Sequence, residues 1–235
     1  MAESGRALRV AVVEDEGLYR DLLCRGLADE PRLQVVGAFA DPDSALAAVP
    51  HLRPDVAVLD INLGARINGV QLGLLLRESL PNLGLVLLSN HRDPRFLPFS
   101  DPRQLAGWSY LLKRSVEDVP ALRRAIEGAA ARWVVLDAEL LSAMRAREDG
   151  PIARLNARER RLLQLIAEGF TNSSIARHLL VAEKTIENQV SLLYQALGIG
   201  RTQEQGDAGA ADGLHPRVQA VLMYLRASRS EGVAG

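Results

Sequence analysis

The stretch PDVAVLDINL, residues 54–63, decides the fold of the first half of the chain. Its central run, DVAVLD at 55–60, consists of β-branched and aliphatic residues between two aspartates, without polar alternation. Such continuous runs are typical of strands buried on both faces, as in a parallel sheet covered by helices. The stretch therefore predicts an interior strand that ends on a carboxylate, Asp60.

Four similar runs lie on either side of this strand. They are RVAVV at 9–13, LQVVGAF at 33–39, LGLVLLS at 83–89 and SYLLK at 109–113. Helical patterns separate the runs, for example at 18–27, 70–80 and 119–131. The alternation predicts an α/β domain over residues 1–132, with a doubly wound, parallel, five-stranded sheet and right-handed crossovers.

The second half of the chain shows a different organisation. The pattern weakens from about residue 137, and the AREDGPIAR segment carries a Gly-Pro pair, so we predict a linker over 133–153. A purely helical pattern then predicts a small all-α domain over 154–228. Its region 200–215, rich in Gly and Ala, is predicted to be an inserted loop.

Residues that cap or end helices divide this second domain into separate helices. Asn156 and Glu159 form a capping-box pattern, Gly169 is expected to end that helix, and Thr171 can cap the next. A third helix is predicted from about 183 to 197. Pro216 is expected to open a last helix, whose apolar stripe could close the bundle core or form a dimer contact.

Polar residues stand at or just after the ends of four predicted strands. Because the carboxyl ends of parallel strands meet at one sheet edge, we expect these side chains to converge: Glu14, Asp15, Asp60, Ser89 and Lys113. Clustered carboxylates repel one another unless a cation joins them, and Mg²⁺ prefers oxygen ligands. One carboxylate could then act as a nucleophile toward a phosphoryl donor. Taken singly, Glu14 and Asp15 could be turn residues and Lys113 a surface lysine, whereas a lone charge buried at Asp60 would be costly.

The strings VVEDE, PDVAVLDINL, LLSN and YLLK resemble the receiver domain of response regulators, over residues 8–132. The resemblance implies a flavodoxin-like strand order, phosphorylation by a sensor histidine kinase and Mg²⁺ as cofactor. It implies that Asp60 is the phosphoacceptor, assisted by Lys113, with Ser89 and Tyr110 as the switch pair. It assigns the metal to Asp15, Asp60 and the carbonyl of Asn62, with Glu14 acting through water.

Two features near this site concern its chemistry and its signalling. A haloacid dehalogenase-type phosphatase would need an aspartate at position 62, and Asn62 excludes that class. Residues 91–105 contain Pro94, Pro98 and Pro102, where the family has a regular helix. Because proline disrupts helices, we expect signalling through this segment to be altered.

Residues 155–199 resemble the NarL/LuxR-type helix-turn-helix. Two short helices at a steep angle would present the second one to the major groove of double-stranded DNA. Five residues of that helix are the candidate DNA contacts: Lys184, Thr185, Glu187, Asn188 and Ser191. Lys184 and Thr185 would hold phosphates, and the other three would face the bases.

The charge of this domain is low for a DNA-binding protein. Residues 152–200 contain six basic and four acidic residues, a net charge of +2. Glu187 would repel phosphates, although it can accept from a cytosine amino group, and Ala182 provides no helix cap. We therefore expect weak binding by a monomer and dependence on a homodimer.

Composition sets the remaining expectations. Apolar residues make up 48% and charged residues 24%, and no 18-residue apolar stretch occurs. With one cysteine, Cys24, and no glycine-rich phosphate loop, catalytic triad or local metal-ligand cluster, a cytoplasmic, non-membrane, non-enzymatic regulator is expected. Two alternatives remain open: a receiver that works without phosphorylation, and a protein-binding adaptor whose helix-turn-helix no longer binds DNA.

Overall fold

The computed structural model describes residues 6–90, 105–117, 119–143, 152, 154–199 and 215–228. These residues form two compact units. The first unit holds the described residues of 6–90 and 107–132, and the second holds those of 133–228 together with 105 and 106. The predicted proline-rich segment is described only at residue 105, and the predicted loop only at residue 215.

A parallel sheet forms the centre of the first unit. Its strands lie in the order β2-β1-β3-β4-β5, which is the flavodoxin-like order. The bounds are β1 Leu8–Val13, β2 Leu33–Phe39, β3 Val56–Asp60, β4 Gly84–Ser89 and β5 Trp108–Leu112. Every residue of β3, β4 and β5 is buried, as expected for strands covered on both faces. All five predicted strands are thus confirmed, each end within one residue.

Four helices cover this sheet: α1 Gly17–Ala28, α2 Pro42–Leu52, α3 Gly69–Ser79 and α4 Val119–Ala130. Side chains cap two of them. Asp41 accepts a hydrogen bond from Ser44 N at the start of α2, and Asn68 forms a capping box with Gln71 at the start of α3. The sequence analysis expected helices between the strands but gave no bounds for α2, whose last turn contains Pro50.

Helices form most of the second unit. The bounds are α5 Ala138–Ala143, α6 Ala157–Ala167, α7 Asn172–Leu179, α8 Glu183–Ala196 and α9 Pro216–Ser228. The predicted caps are present at Asn156 and Thr171, and Gly169 follows α6 with φ +84°. Within the predicted linker, the structure contains a two-residue strand, β6 Val135–Leu136, as well as α5.

The apolar stripe of α9 is buried within the second unit, at Val218, Val221, Leu222 and Leu225. A buried arginine, Arg217, joins this helix to α6. Its Nη2 donates to Ile166 O at 2.9 Å and also to Phe170 O, and its guanidinium lies 4.2 Å from the Trp133 ring centroid. Burial lowers the pKa of Arg217 to about 10, so it remains charged at neutral pH. The stripe therefore contributes to the core of the bundle.

No helix in the described part of the chain is both long enough and apolar enough to cross a bilayer.

Candidate functional site

Three carboxylates meet at the carboxyl edge of the sheet. Strand β1 pairs with β3 so that Val13 lies beside Leu59, which brings Glu14 and Asp15 next to Asp60. One oxygen of each carboxylate lies within 4.8 Å of the other two. Glu14 is fully buried and Asp60 is 2% exposed, whereas Asp15 is exposed. The cluster is thus a buried pair of acids with an exposed acid facing solvent.

Lys113 reaches the same edge from the opposite side. It is the first residue of a 3₁₀ helix, Lys113–Glu117, which directly follows β5 rather than ending the strand as the sequence suggested. Its Nζ lies 2.9 Å from Asp60 Oδ2, and 3.0 and 2.9 Å from the two oxygens of Glu14. The predicted convergence of these residues is present in the structure.

Burial and charge determine the ionisation of this group. Burial raises the pKa of Glu14 above its usual value, although the hydrogen bond from Lys113 opposes that effect. Burial alone would lower the pKa of Lys113, but its bonds to Glu14 and Asp60 and their charges raise it above the usual value. Lys113 is therefore a cation at neutral pH, and it compensates part of the carboxylate charge.

The loop after β3 holds Asp60 in place. Asn62 N donates to Asp60 Oδ1 at 3.1 Å, and Gly69 N donates to Ile61 O at 3.0 Å. A Cβ on Gly69 would collide with the carbonyl oxygen of Asp60, so only glycine allows α3 to start this close to the strand. Gly64, at φ +58°, turns the same loop beside the Asp15 carboxylate.

Ser89 and Tyr110 occupy the two strands on the other side of Asp60. Ser89 is the last residue of β4, one position beyond Leu88, which is the register partner of Asp60. It is 1% exposed. Tyr110, in β5, lies beside Leu87 and is fully buried. Ser89 thus lies at the sheet edge of the acidic cluster, and Tyr110 lies within the core.

The donor set of the cluster suits a hard divalent cation. Three carboxylates face one ammonium, so negative charge is in excess. Glu14 Oε2 is buried and accepts no hydrogen bond from the described residues, although Lys113 Nζ lies near it. Carboxylate oxygens with one side open to solvent are the ligands that Mg²⁺ uses in proteins. The residues present therefore fit this ion.

A polar helix face forms a second candidate site, in the other unit. Helix α8 buries Ile186, Val190 and Leu193, and it exposes the opposite face. Four of the five predicted DNA contacts are exposed and Glu187 is partly exposed: Lys184, Thr185, Asn188, Ser191 and Glu187. The N-cap residue of α8, Ala182, makes no side-chain cap, as predicted.

Two interactions on this face concern Glu187. Lys184 Nζ lies 3.1 Å from Glu187 Oε2, and Ser191 Oγ donates to the carbonyl oxygen of Glu187 at 3.0 Å. The lysine thus partly neutralises the glutamate that the sequence analysis expected to repel phosphates. The ion pair is exposed, so its own contribution to stability is small.

Sequence reasoning missed two residues of α1 that contact the acidic site. Tyr19 OH donates to Lys113 O at 3.1 Å, and its ring centroid lies 4.7 Å from Lys113 Nζ. Arg20 Nη1 donates to the carbonyl oxygen of Glu14 at 2.6 Å. Both residues follow the acids by about one helical turn, which is the only signal in the sequence that could have indicated them.

Comparison with known proteins matches both halves of the chain to known domains. Residues 10–127 match the family model of the response regulator receiver domain, and residues 153–205 match the bacterial regulatory proteins of the luxR family. The DNA-binding transcriptional activator DevR/DosR of Mycobacterium tuberculosis is 36% identical over 203 residues, covering 83% of this chain and 90% of the relative.

Two further relatives show a similar extent of likeness. The probable transcriptional regulatory protein NarL of Mycobacterium tuberculosis is 31% identical over 195 residues, covering 82% of this chain and 88% of the relative. The transcriptional regulatory protein DegU of Brevibacillus brevis is 29% identical, covering 83% of this chain and 90% of the relative. The chain belongs to the response regulators of the luxR family, with a receiver domain followed by a luxR-type regulatory domain.

Proposed function

We propose that this protein is a cytoplasmic two-component transcription regulator in which a sensor histidine kinase phosphorylates Asp60 and thereby controls DNA binding by the second unit. The observation that carries the proposal is the contact of Lys113 Nζ with Asp60 and Glu14, beside the exposed Asp15. This arrangement combines a carboxylate nucleophile with a cation that can offset the charge of a transferring phosphoryl group.

The side chains of the first unit have separate roles in this transfer. An Asp60 carboxylate oxygen forms a bond to phosphorus while the bond from phosphorus to the donor's leaving group breaks, which leaves an acyl phosphate. Lys113 offsets the negative charge on the phosphoryl oxygens. Asp15, Asp60 and the Asn62 carbonyl would hold Mg²⁺, with Glu14 acting through water. When bound, the ion supplies further positive charge beside the phosphoryl group.

The switch would involve Ser89 and Tyr110. A phosphoryl group on Asp60 offers new acceptor oxygens at the sheet edge where Ser89 stands. In our proposal the Ser89 hydroxyl moves toward these oxygens and Tyr110 follows it inward. Phosphorylation would then favour one of two pre-existing states of the protein.

The second unit would bind double-stranded DNA through α8. Lys184 and Thr185 stand in the first turn, where the positive end of the helix also favours phosphate. Asn188 can read adenine and Glu187 can accept from cytosine in the major groove, with Ser191 beside them. Because residues 152–200 carry a net charge of only +2, we propose that two copies bind paired half-sites as a homodimer.

The Lys184–Glu187 ion pair favours a second candidate, a protein-binding adaptor that does not bind DNA. In this pair Lys184, which would otherwise contact phosphate, binds Glu187 instead. A gel shift with random-sequence DNA at several salt concentrations separates the two candidates. A salt-dependent shift supports DNA binding, and no shift at low salt, with or without phosphorylation, supports the adaptor.

Labelling by a small phosphoryl donor tests the assignment of Asp60. Wild-type protein incubated with radiolabelled acetyl phosphate and Mg²⁺ should incorporate acid-stable, base-labile phosphate. Asp60→Asn should not, whereas Asp43→Asn, at an exposed aspartate of α2, should label as wild type. Undiminished labelling of Asp60→Asn would refute the assignment, and labelling of neither protein would support the receiver that works without phosphorylation.

A further inference from the structure

Tyr19, in the first turn of α1, contacts Lys113 at two points. Its hydroxyl donates a hydrogen bond to the carbonyl oxygen of Lys113 at 3.1 Å. Its ring centroid lies 4.7 Å from Lys113 Nζ, a distance at which the ring quadrupole attracts a cation. The tyrosine therefore contacts both ends of the lysine: the carbonyl that begins the 3₁₀ helix and the ammonium that contacts the carboxylates.

The same ring borders a cavity between α1 and α4. This cavity has a volume of about 510 Å³, and Tyr19 and Lys113 both line it, together with the apolar residues Leu22, Leu23, Val119 and Leu122. The lysine side chain is nevertheless only 10% exposed. A smaller side chain at position 19 would expose more of the lysine to this cavity and to the water that enters it.

Movement of the ammonium is the reason that this contact matters. In the structure Lys113 Nζ contacts Asp60 Oδ2 at 2.9 Å, the carboxylate to which the phosphoryl group would be joined. Assisting the transfer requires that the ammonium shift to the phosphoryl oxygens. A lysine has a flexible four-carbon stem, so many of its conformations are unproductive. The ring of Tyr19 is a contact of the ammonium in addition to the carboxylates, and it limits the conformations open to the lysine.

We propose that Tyr19 is a positioning residue for phosphoryl transfer: its hydroxyl fixes the backbone of Lys113, and its ring keeps the ammonium beside Asp60. This inference rests on the proposed function of Asp60. Tyr19 acts through Lys113, whose ammonium contacts the reacting carboxylate.

Phosphorylation rates of two variants test the proposal. Tyr19→Phe keeps the ring and removes the hydroxyl, and Tyr19→Leu removes both. With acetyl phosphate and Mg²⁺, we expect the rate constant of Tyr19→Leu to fall roughly five- to thirtyfold, and that of Tyr19→Phe to fall roughly threefold. Leu22→Ala, which alters the same cavity, is the matched control and should label as wild type. The proposal would be overturned if Tyr19→Leu were phosphorylated as fast as wild type, or if Tyr19→Phe were as slow as Tyr19→Leu.

A second measurement does not depend on phosphorylation. The chain has one other lysine, Lys184, whose side chain is 80% exposed and serves as an internal reference. Acetylation by limiting acetic anhydride, quantified for both lysines by mass spectrometry, should be slow at Lys113 in wild type and in Tyr19→Phe. It should be several times faster in Tyr19→Leu, relative to Lys184. If Tyr19→Leu is folded and its ratio of Lys113 to Lys184 acetylation equals that of wild type, the positioning role is contradicted, even if Asp60 proves not to be phosphorylated.

Discussion

Single residues at the acidic edge balance buried negative charge against one ammonium. Glu14 is fully buried and Asp60 almost fully, and both contact Lys113. A buried carboxylate is costly unless a cation or hydrogen bonds compensate it. Lys113 therefore has a structural role before any phosphoryl group arrives, and this role can be measured in the unmodified protein.

Replacing Lys113 with methionine should destabilise the first unit by about 3 kcal/mol at neutral pH, because two buried carboxylates lose their common partner. The loss should shrink as the pH falls below the raised pKa of Glu14, since protonation removes the uncompensated charge. Urea unfolding at several pH values measures this difference.

Mg²⁺ and a conservative variant provide the controls for that experiment. Mg²⁺ should restore part of the lost stability in Lys113→Met, because an ion bound only by the folded state stabilises it. Lys113→Arg keeps the positive charge and should therefore lose less stability than Lys113→Met. Equal stability of Lys113→Met and wild type at pH 7 would contradict the view that the ammonium compensates these acids.

Among the elements, α8 shows how one helix divides its two faces. Ile186, Val190 and Leu193 pack into the core, and the opposite face carries the polar residues that we propose contact DNA. Lys184 stands in the first turn and Asn188 one turn later. Their positions predict different effects on affinity and on sequence preference, since phosphate contacts carry little sequence information and base contacts carry much.

Substitutions at Lys184 and Asn188 should separate these two effects. Lys184→Ala should weaken binding by a similar factor on every DNA sequence and reduce the salt dependence by about one phosphate contact. Asn188→Ala should reduce the binding free energy for the preferred sequence by about 1–3 kcal/mol and relax the preference at one base position. Fluorescence anisotropy on selected and shuffled duplexes measures both.

Gln195→Ala, an exposed substitution on the last turn of α8, is the matched control and should bind as wild type. If neither Lys184→Ala nor Asn188→Ala changes binding to any duplex, another surface must contact the DNA.

The elements also differ in how far their sequences reveal them. The buried strands β3 and β4 were predictable because continuous aliphatic runs leave few alternatives. Helix α2 was expected between two strands, but its bounds were not predicted, and Pro50 inside its last turn is a residue that usually argues against a helix. Strand β6 and α5 were missed because both are short, and their sequence has little periodicity.

At the scale of the whole molecule, a net charge of −1 is spread over two units with different tasks. The acidic cluster belongs to the first unit, and residues 152–200 carry a small positive surplus. Because that surplus is small, we expect the affinity for DNA to depend on how many copies bind together. Regulation would then act by changing the fraction of the protein that is dimeric.

Phosphorylation of the 235-residue chain should raise both its affinity for DNA and its dimer fraction. We expect acetyl phosphate with Mg²⁺ to tighten binding at least roughly tenfold, which corresponds to about 1.4 kcal/mol. Light scattering and anisotropy on the same sample measure the two quantities, and Asp60→Asn treated in the same way is the control. Tighter binding of Asp60→Asn with acetyl phosphate would mean that the donor acts elsewhere.

The sequence by itself determined the succession of strands and helices along the chain, the carboxylates at the strand ends and the polar face of α8, because apolar periodicity and strand-end position are local properties. Only the tertiary structure decided that Lys113 contacts Glu14 and Asp60 directly, that Tyr19 contacts Lys113, and that Arg217 joins α9 to α6. These contacts join residues distant along the chain. Their geometry depends on how the helices pack, and no local pattern encodes that packing.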